Sequence, residues 1–311
     1  MTILDSPIDA SLCICTYKRP ALLRALLEAI ARQDTGGLNL EIVVADNDPA
    51  GSANATLEEL TSRLPLPLVS HHVPTPNIAL ARNATVHAAR GNWVIFVDDD
   101  EEPEPGWIIA LLHTQRAHQA DVVFGPILPR YGPRFPAWIR RGGFFERPRY
   151  PSGTRVGTDD ARAGNALVRR SLLLEHPGPF DAAYGRTGGE DTLLFRQLQQ
   201  RGAIFVWCDE AIVSEEVPAD RATLPWLLRR SYRGGQSFIR SELHVRAGFP
   251  RLMRALVLGG RALIQLLIAA LLALACLPFS RIRSATWLRT SAAQLGKLSS
   301  LAGHRYQEYR H

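Results

Sequence analysis

A short apolar stretch that ends in consecutive acids constrains this chain more than any other part of it. Trp93–Val97 has the length and β-branched content of a strand buried on both faces. The acids that follow it directly are Asp98, Asp99, Asp100, Glu101 and Glu102. Open α/β sheets bind their ligands at the carboxyl ends of such strands.

Adjacent carboxylates repel one another and raise each other's pKa unless a positive charge lies between them. A hard divalent ion such as Mg²⁺ or Mn²⁺ prefers oxygen ligands of this kind, and a metal held in this way commonly also binds a phosphate. The acidic run therefore predicts a divalent-metal site. The alternative is a solvated acidic turn, which the preceding buried strand disfavours.

The length and charge of the chain limit its class. A chain of 311 residues allows one large α/β domain with an appendage, or two small domains. The 46% apolar and 21% charged content indicates a globular protein and argues against disorder. The formal net charge is +6, and arginines crowd into residues 130–170 and 221–289 while acids collect near Asp98 and Glu190. This segregation predicts a surface that meets the phosphates of a nucleotide, an anionic lipid or a nucleic acid.

The cysteines indicate a reducing compartment. Cys13, Cys15, Cys208 and Cys276 have neither zinc spacing nor a C-x-x-C pair, and Cys13 and Cys15 are interpreted as small core residues. Met1–Ala10 contains two aspartates and lacks the apolar segment of a signal peptide, so a cytoplasmic start is expected.

Strands and helices alternate along the first two thirds of the chain. The predicted strands are Ser11–Thr16, Glu41–Ala45, Pro67–His72, Trp93–Val97, Asp121–Phe124, Gly164–Arg170 and Ala203–Cys208. The predicted helices are Ala21–Gln33, Ser52–Arg63, Asn77–Arg90, Pro105–Gln119 and Thr192–Gln200. This alternation predicts a mostly parallel sheet covered by helices on both faces. A dinucleotide-binding fold would need a glycine-rich turn after the first strand, and Tyr17–Pro20 contains no glycine.

Several polar residues are candidates for a site, each with a simpler alternative. Asp46 ends the second strand and could accept a hydrogen bond from a base or sugar, although Asn47-Asp48-Pro49 is also ordinary turn sequence. Arg82 could meet a phosphate or pair with an acid. Glu190 and Asp191 precede a helix, where acids also serve as caps. Residues 125–160 follow no period and are too long for a connector, so they are interpreted as a functional loop region.

The last third of the chain changes in character. Leu227–Arg240 is basic and punctuated by glycine, and Ala262–Phe279 is an apolar run of 18 residues broken only by Gln265, with arginines on both sides. A helix of that length spans about 27 Å, slightly less than a hydrocarbon core. The flanking arginines oppose moving the tail out of the cytoplasm. The pattern favours a helix lying in or dipping into the cytoplasmic leaflet, with a single span as a close alternative and a buried core helix as a third.

Five motifs in order resemble the family 2 glycosyltransferases of GT-A fold. They are CTYKRP after the first strand, VVADND, ALARN, FVDDDEEP, and GGED before a helix, and together they cover about Ser11–Trp207. Within that family, CTYKRP and WVIFVDDDEEP are most similar to succinoglycan-biosynthesis glucosyltransferases and related enzymes of exopolysaccharide assembly. The resemblance implies a Rossmann-like GT-A domain over residues 1–235 and a basic and apolar, membrane-associated helical region over residues 236–311.

The resemblance also implies roles for residues. Thr16, Tyr17 and Arg19 match the loop that holds the nucleotide, Asp46 matches the aspartate that binds uracil, and Arg82 matches a position that faces the nucleotide phosphates or the donor. Asp98 and Asp100 match the D-x-D motif that binds the metal, and Asp98 with its neighbour Asp99 is also assigned to nucleotide-sugar binding. Glu190 and Asp191 match the ED pair, in which the aspartate is the base. Arg233, in SYRGGQ, lies where related synthases carry a Q-x-x-R-W motif, from which this sequence departs.

The implied activity is an inverting transfer of a sugar, expected to be glucose, from a UDP-sugar to a polyprenyl-diphosphate-linked saccharide at the cytoplasmic face of the plasma membrane, with Mg²⁺ or Mn²⁺ and without nucleic acid. Residue chemistry agrees, because a cation stabilises the diphosphate leaving group and a separate carboxylate can accept the hydroxyl proton. The rivals are a nucleotidyltransferase, which would be expected to carry a glycine-rich loop with a basic residue after the first strand, and a non-enzymatic protein that binds anionic lipid or nucleic acid.

Overall fold

The computed structural model describes residues 7–304. The prediction that Met1–Ala10 is not a signal peptide falls mostly on residues outside that range. The strands are β1 Ala10–Thr16, β2 Leu40–Asp46, β3 Leu68–His72, β4 Trp93–Asp98, β5 Glu101–Pro103, β6 Val122–Phe124, β7 Ile127–Arg130, β8 Ala166–Arg169, β9 Phe205–Trp207 and β10 Val213–Glu216. The helices are α1 Pro20–Ala31, α2 Asn54–Thr61, α3 Ile78–Ala88, α4 Trp107–His118, α5 Ala137–Arg141, α6 Arg170–Leu173, α7 Glu190–Gln200, α8 Leu224–His244, α9 Gly248–Cys276 and α10 Arg281–Leu301.

A seven-stranded sheet has the order β3-β2-β1-β4-β8-β6-β9. All its neighbouring strands are parallel except β8, which runs antiparallel to both β4 and β6. The predicted mostly parallel sheet is therefore confirmed, with one reversed strand. The reversal arises because the chain leaves β6 at Phe124 and re-enters the sheet at Ala166, which pairs with Phe124. The intervening residues thus begin and end at the same edge of the sheet.

The large core forms because the central strands are apolar at successive positions. In β1, β2 and β4, side chains such as Leu12, Ile42 and Ile95 are fully buried, since helices cover both faces of a parallel sheet. Cys13 is buried and unpaired, and burial raises the pKa of its thiol to about 12, which agrees with the predicted core role. A second sheet of β5, β10 and β7, which the sequence pattern did not predict, has β5 antiparallel to β10.

The chain divides into two compact units. The first comprises residues 7–128, 147–186 and 197–215, and the second comprises residues 129–146, 187–196 and 216–304. The predicted domain boundary at residue 235 falls inside α8, and the domain assignment remains a prediction.

The second unit is built on three long helices. Helices α8 and α10 cross closely at two glycines, since a Cβ on Gly235 would lie 2.0 Å from the carbonyl oxygen of Ala293 and one on Gly296 would lie 1.9 Å from that of Tyr232. The hydroxyl of Tyr232 also donates to Ser299 Oγ over 2.7 Å. These contacts place the second half of α10 against α8.

Helix α9 differs from the predicted apolar segment Ala262–Phe279. It begins earlier, at Gly248, and ends at Cys276. The helix ends there because Pro278 cannot continue it and because Ser280 caps the next helix, where its Oγ accepts from Arg283 N over 3.3 Å. Within residues 7–304, α9 is the one helix long and apolar enough to cross a membrane. Leu271 and Leu274 are each 68% exposed, which contradicts the alternative of a buried core helix.

Candidate nucleotide-sugar site

The predicted site residues of the first unit gather at one edge of the large sheet. β1 lies between β2 and β4 in parallel register, with Thr16 paired to Asp46 and Cys15 paired to Asp98. The carboxyl ends of these three strands therefore bring Thr16, Asp46 and the acidic run to the same edge, as the sequence pattern predicted.

Asp99 is one of the two buried members of the acidic run. Its Oδ2 accepts from Thr16 Oγ1 over 2.8 Å, and its Oδ1 lies 3.2 Å from the guanidinium of Arg19. The residue is only 5% exposed. Burial raises the pKa of Asp99 to about 6, although Arg19 and Thr16 both favour the ionised form. Asp99 thus ties the loop after β1 to the end of β4.

Asp98 and Asp100 carry the more accessible carboxylates. Asp98 Oδ1 lies 3.2 Å from Arg82, and its side chain is 44% exposed, whereas that of Arg82 is 9% exposed. Asp100 Oδ2 lies 2.9 Å from Arg19. Each of the two predicted metal ligands is therefore paired with an arginine that was predicted to bind the nucleotide-sugar. The guanidinium of Arg82 also lies over the ring of Phe180, at 5.6 Å from its centre.

Glu101 belongs to this site but was not singled out from the sequence. It is buried, and its Oε2 accepts from the backbone N–H of Asp98 over 2.9 Å. Burial and the neighbouring Asp98 raise the pKa of Glu101 well above its usual value. A Cβ on Gly164 would lie 2.7 Å from Glu101 Oε1, so the chain entering β8 packs directly on this carboxyl group. The only signal in the sequence was its place in the acidic run.

The acidic side chains fit a divalent ion that takes only two of its ligands from the protein. Across residues 7–304, acidic, histidine and cysteine side chains nowhere form a group of three or more arranged for a metal. Asp98 and Asp100 offer two carboxylates on either side of the buried Asp99. Mg²⁺ is commonly bound by one or two carboxylates together with substrate phosphates, so these two residues fit such an ion.

The loop after β1 has an unusual backbone. Lys18 has a φ of 58°, which is uncommon for a residue with a side chain, and its ammonium lies 5.0 Å from the centre of the Tyr17 ring. This conformation turns the chain between Thr16 and Arg19, both of which contact Asp99. It accounts for how residues three positions apart reach one carboxylate.

Asp46 has a structural role in the turn after β2. Its Oδ1 accepts from the backbone N–H of Asp48 over 3.0 Å, and its Oδ2 accepts from that of Ala53 over 2.8 Å. The residue is 1% exposed. These bonds match the turn interpretation of the sequence. Since each carboxylate oxygen can accept a further bond, the assignment to a base remains a prediction.

Asn77, which precedes α3, and Asn83, within α3, bind the backbone of residues 180–182. Asn77 caps α3 by accepting from Ala79 N and Leu80 N, and it donates to the carbonyl of Ala182 over 3.0 Å. Asn83 exchanges two hydrogen bonds with the backbone of Phe180. Neither contact was predictable from the sequence, because the partners lie about a hundred residues away.

Glu190, Asp191 and Arg233 lie in the second unit. Both acids occupy the first turn of α7, and Asp191 Oδ1 accepts from Thr192 N over 2.7 Å, as expected for acids at a helix start. The preceding Gly188 and Gly189 have φ of 74° and 93°, and a Cβ on Gly188 would lie 4.0 Å from the Arg233 guanidinium. The glycine turn of the GGED motif thus packs against α8 beside Arg233.

The sheet, the acid-bearing strand end and the motif order define a nucleotide-diphospho-sugar transferase of GT-A fold, and the chain belongs to glycosyl transferase family 2, whose profile matches residues 11–176. The chain is 36% identical over 228 residues to the succinoglycan biosynthesis protein ExoM of Rhizobium meliloti, covering 72% of each chain. It is 28% identical over 217 residues to validoxylamine A glucosyltransferase of Streptomyces hygroscopicus subsp. limoneus, covering 62% of this chain and 48% of that protein.

Solved structures agree on the fold. The mannosyltransferase PcManGT from Pyrobaculum calidifontis, in complex with GDP-Man and Mn²⁺, aligns with a TM-score of 0.62 at 18% identity over 94% of this chain and 88% of its own. TarS residues 1–349 from S. aureus, in complex with UDP, aligns with a TM-score of 0.54 at 17% identity over 96% and 93%.

Proposed function

We propose that the protein transfers glucose from UDP-glucose to a hydroxyl of a growing, polyprenyl-diphosphate-linked oligosaccharide during exopolysaccharide or cell-surface glycan synthesis. The observation that carries this proposal is the convergence of Asp98, Asp100, Arg19 and Arg82 at the carboxyl ends of β1 and β4. The relatives named for succinoglycan biosynthesis and for glucosyl transfer support the pathway and the sugar. The TarS complex with UDP supports the nucleotide.

Asp98 and Asp100 would hold Mg²⁺ or Mn²⁺, and the Mn²⁺ complex of PcManGT supports a metal of this class. When bound, such an ion acts as a Lewis acid that stabilises the negative charge developing on the diphosphate leaving group. Arg19 and Arg82 then add positive charge beside the same phosphates. Their present bonds to Asp100 and Asp98 keep both guanidinium groups at the site.

The remaining roles concern the nucleotide. Thr16 and Tyr17 line the loop for the base and ribose, and Asp46 accepts a hydrogen bond from uracil. Asp99 fixes Thr16 and Arg19 in position through the bonds described above. Arg233, beside the GGED turn, meets the diphosphate.

Asp191 is the proposed base, with Glu190 beside it. Its carboxylate takes the proton of the acceptor hydroxyl as the oxygen bonds to the anomeric carbon and the bond from that carbon to the diphosphate breaks. UDP leaves with the electron pair, and the single displacement inverts the configuration at the anomeric carbon. The product of an α-linked UDP-sugar is then a β-glycoside.

A hydrolysis screen tests this proposal. Purified protein is incubated with UDP-glucose, UDP-galactose, UDP-N-acetylglucosamine or GDP-mannose, with and without Mn²⁺, and released nucleoside diphosphate is measured. Release of UDP from UDP-glucose that disappears on adding EDTA is expected. Preference for GDP-mannose would overturn the nucleotide assignment. Release of pyrophosphate from UTP and a sugar phosphate would instead indicate a nucleotidyltransferase.

A further inference from the structure

One side of helix α9 is a long apolar stripe. Its members recur one to four residues apart over residues 249–257 and again over residues 263–274, as expected for a single helical face, and Gly260 lies on the same face between the two series. They are Phe249, Leu252, Met253, Leu256, Val257, Leu263, Ile264, Leu267, Ile268, Leu271 and Leu274, and all are exposed. The 29-residue helix is about 44 Å long. A stripe of this length exceeds what isolated surface leucines explain and marks an interaction surface.

The opposite side of α9 packs on other helices of the same unit. Ser284 of α10 donates to the carbonyl of Ala273 over 2.9 Å near one end, and a Cβ on Gly259 would lie 3.3 Å from Leu301 near the other. Leu258 is buried with Ile239 and Leu243 of α8. The buried residues of α9 are Leu258, Ala262, Ala269 and Ala273. Helix α10 therefore runs antiparallel to α9 over most of its length.

This packing argues against α9 crossing a bilayer. A span over residues 259–273 would carry the adjacent part of α10 into the hydrocarbon, with Arg289, Gln294 and Lys297. Charged and strongly polar side chains are costly there unless they line a cavity or pair with one another. Helix α8 packs on α10 in turn and contains four further arginines. A helix lying in the plane of the membrane exposes only its stripe to lipid and avoids this cost.

The positive charge of the surrounding sequence indicates an anionic membrane. Residues 243–304 contain seven arginines and one lysine and neither aspartate nor glutamate. Arg251 and Arg261 on α9, and Arg281 and Arg283 after it, are exposed. On the helix, Arg254, Arg261 and Gln265 lie beside the stripe and not within it. This arrangement of an apolar face with a basic rim is typical of helices that bind anionic leaflets.

A second copy of the chain fits the stripe less well. A two-fold dimer through α9 would bring the basic rims of both copies together. Residues 243–304 contain no acid, and the adjacent Glu242 already pairs with Arg246 and Arg254 of its own chain, so neither supplies a carboxylate to the arginines of a second copy.

We propose that α9 inserts its stripe into one leaflet of an anionic membrane, parallel to the surface, with the flanking arginines at the phosphate level and α10 on the side facing water. This rests on the proposed function only in that a polyprenyl-linked acceptor would be held at a membrane, and it does not depend on which sugar is transferred.

Two matched substitutions separate an in-plane helix from a spanning one. Leu267→Glu places a carboxylate in the stripe, and Gln265→Glu places one on the flank two residues away, about 200° around the helix. Both positions are exposed, so both variants are expected to fold. Flotation with vesicles of phosphatidylcholine and phosphatidylglycerol, and with vesicles of phosphatidylcholine alone, measures binding. Melting temperature and UDP-glucose hydrolysis are measured in parallel.

The full chain is expected to float with anionic vesicles, and added salt is expected to weaken that binding. Leu267→Glu is expected to lower the bound fraction about tenfold, since a buried leucine contributes enough for that change, while Gln265→Glu binds nearly as the parent does. Equal loss in both variants would overturn the in-plane arrangement in favour of a span. Unchanged binding in Leu267→Glu, or dimers that this variant dissociates without vesicles, would overturn membrane insertion. If the parent protein did not hydrolyse UDP-glucose, the proposed function would be contradicted but the membrane insertion would not.

Discussion

The hydroxyl of Thr16 donates to Asp99 Oδ2 over 2.8 Å, and this bond joins the last residue of β1 to the residue that follows β4. The side chain of Asp99 is 6% exposed in this contact, whereas those of Asp98 and Asp100 are 44% and 19% exposed. Among the three aspartates, the two with the more exposed carboxylates are therefore the two that match the D-x-D pattern. Asp99 is a structural link.

This difference predicts unequal effects of substitution in the acidic run. Asp100→Ala is expected to abolish metal-dependent turnover, because one remaining acid replaces neither the lost ligand nor its charge. Asp99→Asn is expected to be milder, since burial already disfavours the charged form and an amide oxygen still accepts from Thr16. Hydrolysis of UDP-glucose over a range of Mn²⁺ concentrations measures both. A larger loss of turnover in Asp99→Asn than in Asp100→Ala would contradict the assignment of Asp100 as a metal ligand and Asp99 as a structural residue.

Capping and catalysis make different demands on Asp191. Asparagine also accepts a hydrogen bond from backbone N–H groups at the start of a helix, so Asp191→Asn is expected to leave the melting temperature and UDP affinity nearly unchanged. An amide does not take a hydroxyl proton at neutral pH, so transfer is expected to fall by about a hundredfold or more. Glu190→Gln is the control and is expected to do less to the chemical step. Near-normal transfer in Asp191→Asn would limit the residue to its capping role.

Two adjacent glycines in α8 provide a paired test of helix packing. Gly235→Ala is expected to destabilise the protein, because its new methyl group would lie 2.0 Å from the carbonyl oxygen of Ala293. Gly234→Ala is expected to stabilise it by about 0.5–1 kcal/mol, because the space there is open and alanine favours helix. Thermal unfolding of both variants measures the difference. Equal melting temperatures would show that α8 and α10 can separate without cost.

The buried carboxylate of Glu41 predicts a dependence of stability on pH. Burial opposes its ionisation, but hydrogen bonds from Ser11 Oγ at 2.6 Å and from Arg90 N at 2.7 Å outweigh this and lower the pKa of Glu41. The ionised group therefore stabilises the fold above its ordinary pKa of 4.5, and that contribution is lost as the pH falls through the lower folded-state pKa.

Glu41→Gln is accordingly expected to cost about 2 kcal/mol at pH 7 and to flatten the decline of stability in acid. Urea unfolding between pH 3 and pH 7 measures this. Glu58→Gln, at an exposed position of α2, is the control and is expected to change little. If the free energy of unfolding fell equally with pH in the parent protein and in Glu41→Gln, Glu41 would not be responsible for the loss of stability in acid.

The order of the main elements and the gathering of Thr16, Asp46 and Asp98 were predictable, because buried strands and amphipathic helices leave strong periodic patterns. The strands β5, β7 and β10 were missed, since segments of three or four residues carry too little pattern. The direction of β8 depends on where the chain re-enters the sheet, and its residues do not encode that.

Helix α9 was recognised only from Ala262, although it begins at Gly248. Arg251, Arg254 and Arg261 interrupt the apolar run without interrupting the apolar face. A search for consecutive apolar residues therefore found the second half alone, whereas the three-and-four spacing extends through the first half as well. The contacts of Asn77 and Asn83 escaped prediction because they join distant parts of the chain.

The pairing of Phe124 with Ala166, continued by the bond from Gly125 N to Asn165 O, closes the ends of residues 125–165 against each other. The sheet register is set by that closure and not by how many residues lie within it. Doubling a flexible loop adds only about 0.6 kcal/mol of closure entropy. Over evolution, insertions and deletions in the exposed turns of this segment can therefore accumulate without shifting the strands that carry Asp98 and Asp100, so related chains are free to diverge there while their catalytic edge stays in place.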